Sequence, residues 1–414
     1  MINEVAVPKH IAEAVVSPRA HAERNELLAD LRWLRANNTV GLVEADGYDP
    51  FWLVTRHRDV YDVSRQNSLF INGERPIGII DRAGEAAMRA KTGEPFVFRT
   101  LISMDGPNHF GYRRVIQRWF TSAKLREVEA DIRAIARASI DHMTALGTEC
   151  DFVRDVALHY PLRVLMKLVG IPAEDEELML RMTHGDTAKQ EGPLIAQLEA
   201  AYADMEDYFA RLTDARRRQP AGDLASAIAS ASIDGAPIPR FEAFCLYLLL
   251  VTAGHDTTSL STSGAMWGLA QHPHELPRIR ERPELIDKFV DEAIRWTSPV
   301  SHFMRSASEN TEVGGRRIRK GDWLMLSYLS ANYDETAFEQ PEQFRADRNA
   351  SRHMAFGAGN HVCLGQYLAR LEMRIFFEEL IPRLSAVVLA GKPKRSESAF
   401  IGGPTTIPIR FALR

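Results

Sequence analysis

Cys363 stands in the run Phe356-Gly357-Ala358-Gly359-Asn360-His361-Val362-Cys363-Leu364-Gly365, directly before the strongly helical stretch Gln366 to Leu380. Glycines on both sides of the sulfur allow positive φ and a tight turn, so backbone can pass close to a flat ligand and aim its amides at the thiol. A thiolate at a helix start that accepts such hydrogen bonds has a lowered pKa, so the run predicts a cysteine kept ionised. F-x-x-G-x-x-x-C-x-G arises by chance in about one chain in two thousand of this composition. Three chemistries stay open on the residues alone: ligation of a metal centre, a Cys363/His361 nucleophile, and a free cysteine of the core. Zinc is disfavoured, because the other two cysteines, Cys150 and Cys245, lie far away in sequence.

A second constellation is Ala253-Gly254-His255-Asp256-Thr257-Thr258. It interrupts a stretch from about Pro239 to Gln271 whose middle, Leu248-Leu249-Leu250-Val251, is apolar all round and therefore reads as a buried helix of roughly 50 Å. A buried Asp needs a partner or a water chain. One reading is a polar network that fixes packing register; the other is that Gly254 and the Thr257 hydroxyl open the helix into a groove beside a proton donor. His255 is expected to pack as a neutral side chain. A third pair, Glu292 and Arg295, stands at i and i+3 among the apolar Phe289, Val290, Ala293 and Ile294, which predicts at least partial burial. His109 and Arg113 stand at i and i+4 on one helix face, a further pair of cations.

The elements that must hold these groups are mostly helical. Leu125–Leu146 and Leu194–Leu212 carry helical period, and the basic run Arg216-Arg217-Arg218 before Gln-Pro reads as a helix C-terminus. Short alternating stretches at Val40–Glu44 and Phe51–Thr55 around Asp46-Gly47 predict a hairpin. Thr311–Val313 with Arg316–Arg319 around Gly314-Gly315, then Trp323–Ser327 and the tail Ile407–Leu413, complete the strands. An apolar loop containing Ile77, Ile79, Ile80, Phe96, Val97, Phe98, Leu101 and Ile102 precedes the His109 helix.

The 414 residues hold 51 basic and 55 acidic side chains, a net charge of −4, and 45% apolar residues. This is ample for a large core without disulfides, and three cysteines suit a reducing compartment. No basic footprint for nucleic acid is present. The first residues lack a charged n-region and apolar h-region, and no apolar run reaches the roughly 20 residues of a membrane span, so a cytoplasmic protein off the membrane is expected.

Taken in order and at these intervals, AGHDTT, EAIR and FGAGNHVCLG resemble a cytochrome P-450 monooxygenase of the soluble bacterial kind, over essentially the whole chain. The resemblance implies a mainly α fold with small β-sheets: a single domain over 1–414, β-rich at about 38–75, with one long helix over a haem. It implies haem b with Cys363 as axial thiolate and Phe356, Gly357 and Gly365 around it. Ala253 and Gly254 would line the oxygen groove, and Asp256 and Thr257 would deliver protons to dioxygen. His109, Arg113, Arg305 and His361 would bind the propionates. Glu292, Arg295 and Arg348 would form a structural ion-pair set.

Phe98, Leu101, Leu249, Val251, Val300 and Phe303 are expected to line a pocket for a small hydrophobic substrate, similar to the monoterpene- and alkylbenzene-hydroxylating members. Steroid or fatty-acid hydroxylation stays open, with His302 or Arg99 as polar anchor, and a peroxygenase or gas-binding protein stands further off. Without a reductase extension, electrons would come from a ferredoxin with its NAD(P)H-dependent reductase, docking on Arg114, Arg118, Lys124, Arg126, Arg370 and Arg374. A monomer is expected.

Overall fold

A computed structural model describes residues 5–184 and 194–414, with side chains described except at 184 and 194–202. Met1 to Glu4, on which the expectation of no leader partly rests, lie outside the described residues. The central element is one unbroken helix, Arg240–Gln271, begun after Pro239 and buried along most of its length. It packs against Ile286–Thr297, His159–Val169 and Leu194–Arg218. The predicted Leu125–Leu146 helix runs Ser122–Ala145, capped by Thr121, whose hydroxyl accepts from the Lys124 amide. None of the helices among the described residues is long and apolar enough to cross a membrane.

The hairpin forms as predicted, Val40–Val43 antiparallel to Phe51–Val54. It is the edge of a five-stranded sheet continued by Trp323–Ser327, His302–Ala307 and Phe70–Ile71, so the strands near the start of the chain are completed by strands from residues 302–327. Thr311–Val313 and Arg316–Ile318 form the second hairpin, and Pro408–Leu413 lies between Leu384–Leu389 and Glu149–Asp151.

The stretch expected to be an apolar loop differs. It contains a helix, Arg82–Thr92, with Asp81 accepting from the Gly84 amide and Gly93 ending it at φ +74°. An N-cap acid, an alanine-rich turn and a C-terminal glycine were the local signals for it.

Candidate functional site

Period-2 alternation and helix register bring the singled-out residues to one internal cavity. Its empty space is about 1400 Å³, including the part open to solvent. The strand His302–Ala307 turns Phe303 and Arg305 to the cavity on one face. The helix Gly106–Ile116 contributes His109 and Arg113 one turn apart, and the central helix contributes Ala253, Gly254 and Thr257. Ala253 is exposed although it sits mid-way along a buried helix, because it faces this space.

Cys363 enters from the loop ahead of the helix Gln366–Leu380. Its amide donates to the Phe356 carbonyl at 2.8 Å, closing the turn. Two glycines make that turn possible: Gly357 at φ +65° and Gly359 at φ +72°, where a Cβ would sit 2.4 Å from the Ser64 carbonyl oxygen. Gly365 has ordinary φ; a Cβ there would meet no atom within 4 Å, and the residue borders the cavity. Gly357 does not line the cavity.

With no metal bound, burial opposes the ionised state expected of Cys363. Burial pushes the Cys363 thiol up; the Gly365 and Gln366 amides, with Arg113 and Arg370, pull it down but do not outweigh burial. A metal cation is what would hold the thiolate. Cys150 and Cys245 are also pushed up, each to about 12, and neither borders the cavity.

All four predicted cations reach the cavity. The His109 and His361 rings lie 4.2 Å apart, His361 Nε2 is 3.9 Å from Asp105, and Arg113 donates to the Val362 carbonyl at 2.9 Å. Arg305 is buried, donates Nη1 to the Met304 carbonyl at 2.8 Å, faces the Tyr328 hydroxyl and leaves its Nε without a partner. Burial and the neighbouring cations drive His109 down to about 4. Apart from His361 with Asp105, none of the four makes an ion pair with a described carboxylate. The buried Arg305 and half-buried Arg113, neither ion-paired with a described carboxylate, fit a flat dianionic cofactor, with His109 and His361 as hydrogen-bonding neighbours, as does the open space at Gly365.

Asp256 does not line the cavity; it stands beside the buried His255, with Nδ1 and Oδ1 3.3 Å apart, and burial pushes its carboxyl up to about 7. His255 Nε2 lies 2.7 Å from the Leu158 carbonyl, the packing role expected of it. The helix is not opened by a break in its hydrogen bonding. Instead Thr257 Oγ1 donates to the Ala253 carbonyl at 2.9 Å and Ser261 Oγ to the Thr257 carbonyl at 2.8 Å, while the bare face at Ala253 and Gly254 leaves the space.

Glu292 and Arg295 are fully buried. Glu292 accepts from Arg295 Nε at 2.7 Å and Nη2 at 2.9 Å, from Arg348 Nε at 2.9 Å and from the Arg345 amide at 3.0 Å. Arg295 also donates to the Asn332 and Pro341 carbonyls, tying in the segment that leads to the cysteine loop.

Of the pocket residues, Leu101, Leu249, Val300 and Phe303 line the cavity. Val251 does not: it lies in the core, and Leu250 takes the cavity side. Phe98 is drawn instead onto Phe241 and Phe244, with ring centroids 6.2 and 5.8 Å away. His302 is buried outside the cavity, accepts from the Ile79 amide and is held neutral with a pKa near 3; Arg99 is exposed and also outside it. Reasoning from sequence missed Asn72, Phe120, Leu165 and Tyr328, which only tertiary packing brings to the cavity. It also missed Glu372, whose buried carboxyl is pushed well above its usual range by burial. Among the proposed docking cations, Arg370 pairs with Asp291 and Arg374 with Glu129 and Glu378, while Arg114, Arg118 and Arg126 are exposed.

The family model described as Cytochrome P450 matches residues 241–409. The chain is 42% identical to Cytochrome P450-terp of Pseudomonas sp, over 98% of both chains. It is 34% identical to Linalool 8-monooxygenase of Pseudomonas putida, over 87% of this chain and 89% of that one. The solved structure of CYP108D1 from Novosphingobium aromaticivorans is 41% identical and superposes with a TM-score of 0.93, covering 99% of this chain and 100% of that one.

Proposed function

The chain belongs to the cytochrome P450 family, a monooxygenase that carries haem b on a cysteine thiolate, and from that premise we propose that it hydroxylates a small, terpene-like hydrophobic molecule with electrons from a ferredoxin. The observation that carries the substrate reading is that Leu101, Leu249, Val300 and Phe303 share one cavity with Thr257 and Cys363. The chain's likeness to Cytochrome P450-terp and to Linalool 8-monooxygenase supports it. When bound, the haem supplies the oxygen-activating chemistry.

The chain's own residues do the rest. Cys363 is the proposed iron ligand, its sulfur facing the Gly365 and Gln366 amides and its loop packed on Phe356, over which Arg370 lies at 4.6 Å. His109, Arg113, Arg305 and His361 hold the propionates. Thr257 passes protons toward the cavity and Asp256, half-way through its titration near neutrality, replenishes them. Ala253 and Gly254 keep the space above them clear. Glu292, Arg295 and Arg348 fix the approach to the cysteine loop. All act within one domain spanning 1–414, as a monomer in the cytoplasm. Ferredoxin meets the exposed Arg114, Arg118 and Arg126.

A panel of linalool and other monoterpenes, alkylbenzenes, a steroid and a fatty acid, scored by the low-spin to high-spin change of the ferric holoprotein, tests the substrate reading. The monoterpenes should shift the spin state at the lowest concentrations. A response confined to the steroid or the fatty acid would overturn it.

A further inference from the structure

A second space lies at the other end of the segment Trp296–Val300, bordered by Arg24, Arg32, Trp296, Tyr333, Glu342 and Arg395. Its empty volume is about 810 Å³, including the part open to solvent. Three of these residues are cations and one is an acid. Glu342 is spoken for at the rim, 3.6 Å from Arg32, which also meets Glu335 at 3.0 Å. Arg24 and Arg395 have no carboxylate among the described residues.

The two differ in what holds them. Arg24 is buried and gives Nη1 and Nη2 to the Thr297 and Trp296 carbonyls at 2.8 and 3.2 Å, capping the C-terminal end of the helix Ile286–Thr297; its Nε has no partner. The Arg395 side chain makes no hydrogen bond and no ion pair with any described residue, and its guanidinium lies over the Trp267 ring at 4.5 Å with Nη1 buried. Burial and the like charge of Arg24 lower it to about 9. An aromatic face answers the charge of a guanidinium but none of its five N–H donors. A desolvated cation beside a second cation is a costly arrangement unless something negative completes it.

We propose that this groove binds a small oxyanion, a carboxylate or phosphate group received by the planar fork of Arg395 and the charge of Arg24. A guanidinium presents paired donors at the spacing of two oxygens, which suits either chemistry. The bound anion joins two pieces that border the main cavity. Arg24 holds the carbonyls just before Pro299 and Val300, while the chain after Arg395 returns to bond Pro299 through the Gly402 amide at 2.8 Å and to pair Ile401 with Val300.

The test uses the haem-loaded protein in titration calorimetry and thermal melting, with sodium phosphate and sodium succinate each set against sodium chloride of matched ionic strength. At least one oxyanion should bind saturably and raise the melting temperature. Binding of phosphate alone assigns a phosphoryl group; binding of succinate, alone or with phosphate, assigns a carboxylate. Arg395→Gln should weaken binding by at least about tenfold and abolish the thermal response. In chloride the same variant should melt no lower than wild type, since it removes an unanswered buried charge, and Arg395→Lys should retain part of the affinity. Failure of both anions to bind beyond chloride, or wild-type affinity in Arg395→Gln, would overturn the proposal. So would a melting loss in Arg395→Gln of equal size with and without anion, which would make Arg395 a structural cation over Trp267.

Discussion

The Thr257 hydroxyl borders the cavity and donates its proton to the Ala253 carbonyl, which leaves its oxygen lone pairs free to accept from a proton donor. Thr257→Ala should bind haem and substrate normally yet consume reductant without matching product; tight coupling in that variant would remove Thr257 from the proton route. Asp256 supplies a pH test. Burial raises its carboxyl from 3.8 to about 7, so the acid form prevails below neutrality and is lost above it. Turnover at saturating substrate should therefore fall as pH rises through about 7 in the wild type. Asp256→Asn should be slower by roughly 10²-fold and lack that inflection. The stability sign follows from the same shift: the folded carboxyl binds its proton more tightly than the unfolded one, so it makes the fold less stable as pH rises from 3.8 to 7. The melting temperature of Asp256→Asn should accordingly gain on wild type across that window.

At the scale of elements, the central helix and the helix Ile286–Thr297 cross where Gly264 faces Thr297. A Cβ on Gly264 would lie 1.9 Å from Thr297 Oγ1, so Gly264→Ala should cost about 1–3 kcal/mol in urea unfolding and loosen haem retention. The buried Glu292, Arg295 and Arg348 set is complete in its hydrogen bonds, and removing one member strands the others. Glu292→Ala should lose about 3–5 kcal/mol or fail to accumulate as holoprotein, readable by the haem-to-protein absorbance ratio.

These elements were legible in sequence wherever the signal is local. The glycine-flanked cysteine, the Pro239 start, the Asp46-Gly47 hairpin and the i, i+3 pair all carry their own geometry. The pocket was legible only in part. Around Leu248 to Val251 the helix is apolar on every side, so periodicity could not tell Leu250 from Val251. Phe98 was misplaced because an aromatic cluster on Phe241 and Phe244 competes with the cavity for it. Asn72 and Tyr328 arrive from distant chain segments, which no local pattern encodes.

Across the whole molecule, the central helix and the cysteine helix enclose the cavity, with the sheet strand bearing Arg305 and Phe303 closing one side. The exposed Arg118 stands outside it, so Arg118→Glu should raise the KM for ferredoxin several-fold and flatten its salt dependence without altering substrate affinity. The claim that joins site and body is that Cys363, and not Cys150 or Cys245, carries the iron. The reduced, carbon monoxide-treated absorption spectrum of Cys363→His, set beside that of the wild type, tests this most directly. The wild type should show the red-shifted Soret band of a thiolate ligand, and Cys363→His, still loaded with haem, should show the band of a histidine ligand. A thiolate-type band surviving in Cys363→His would contradict the account.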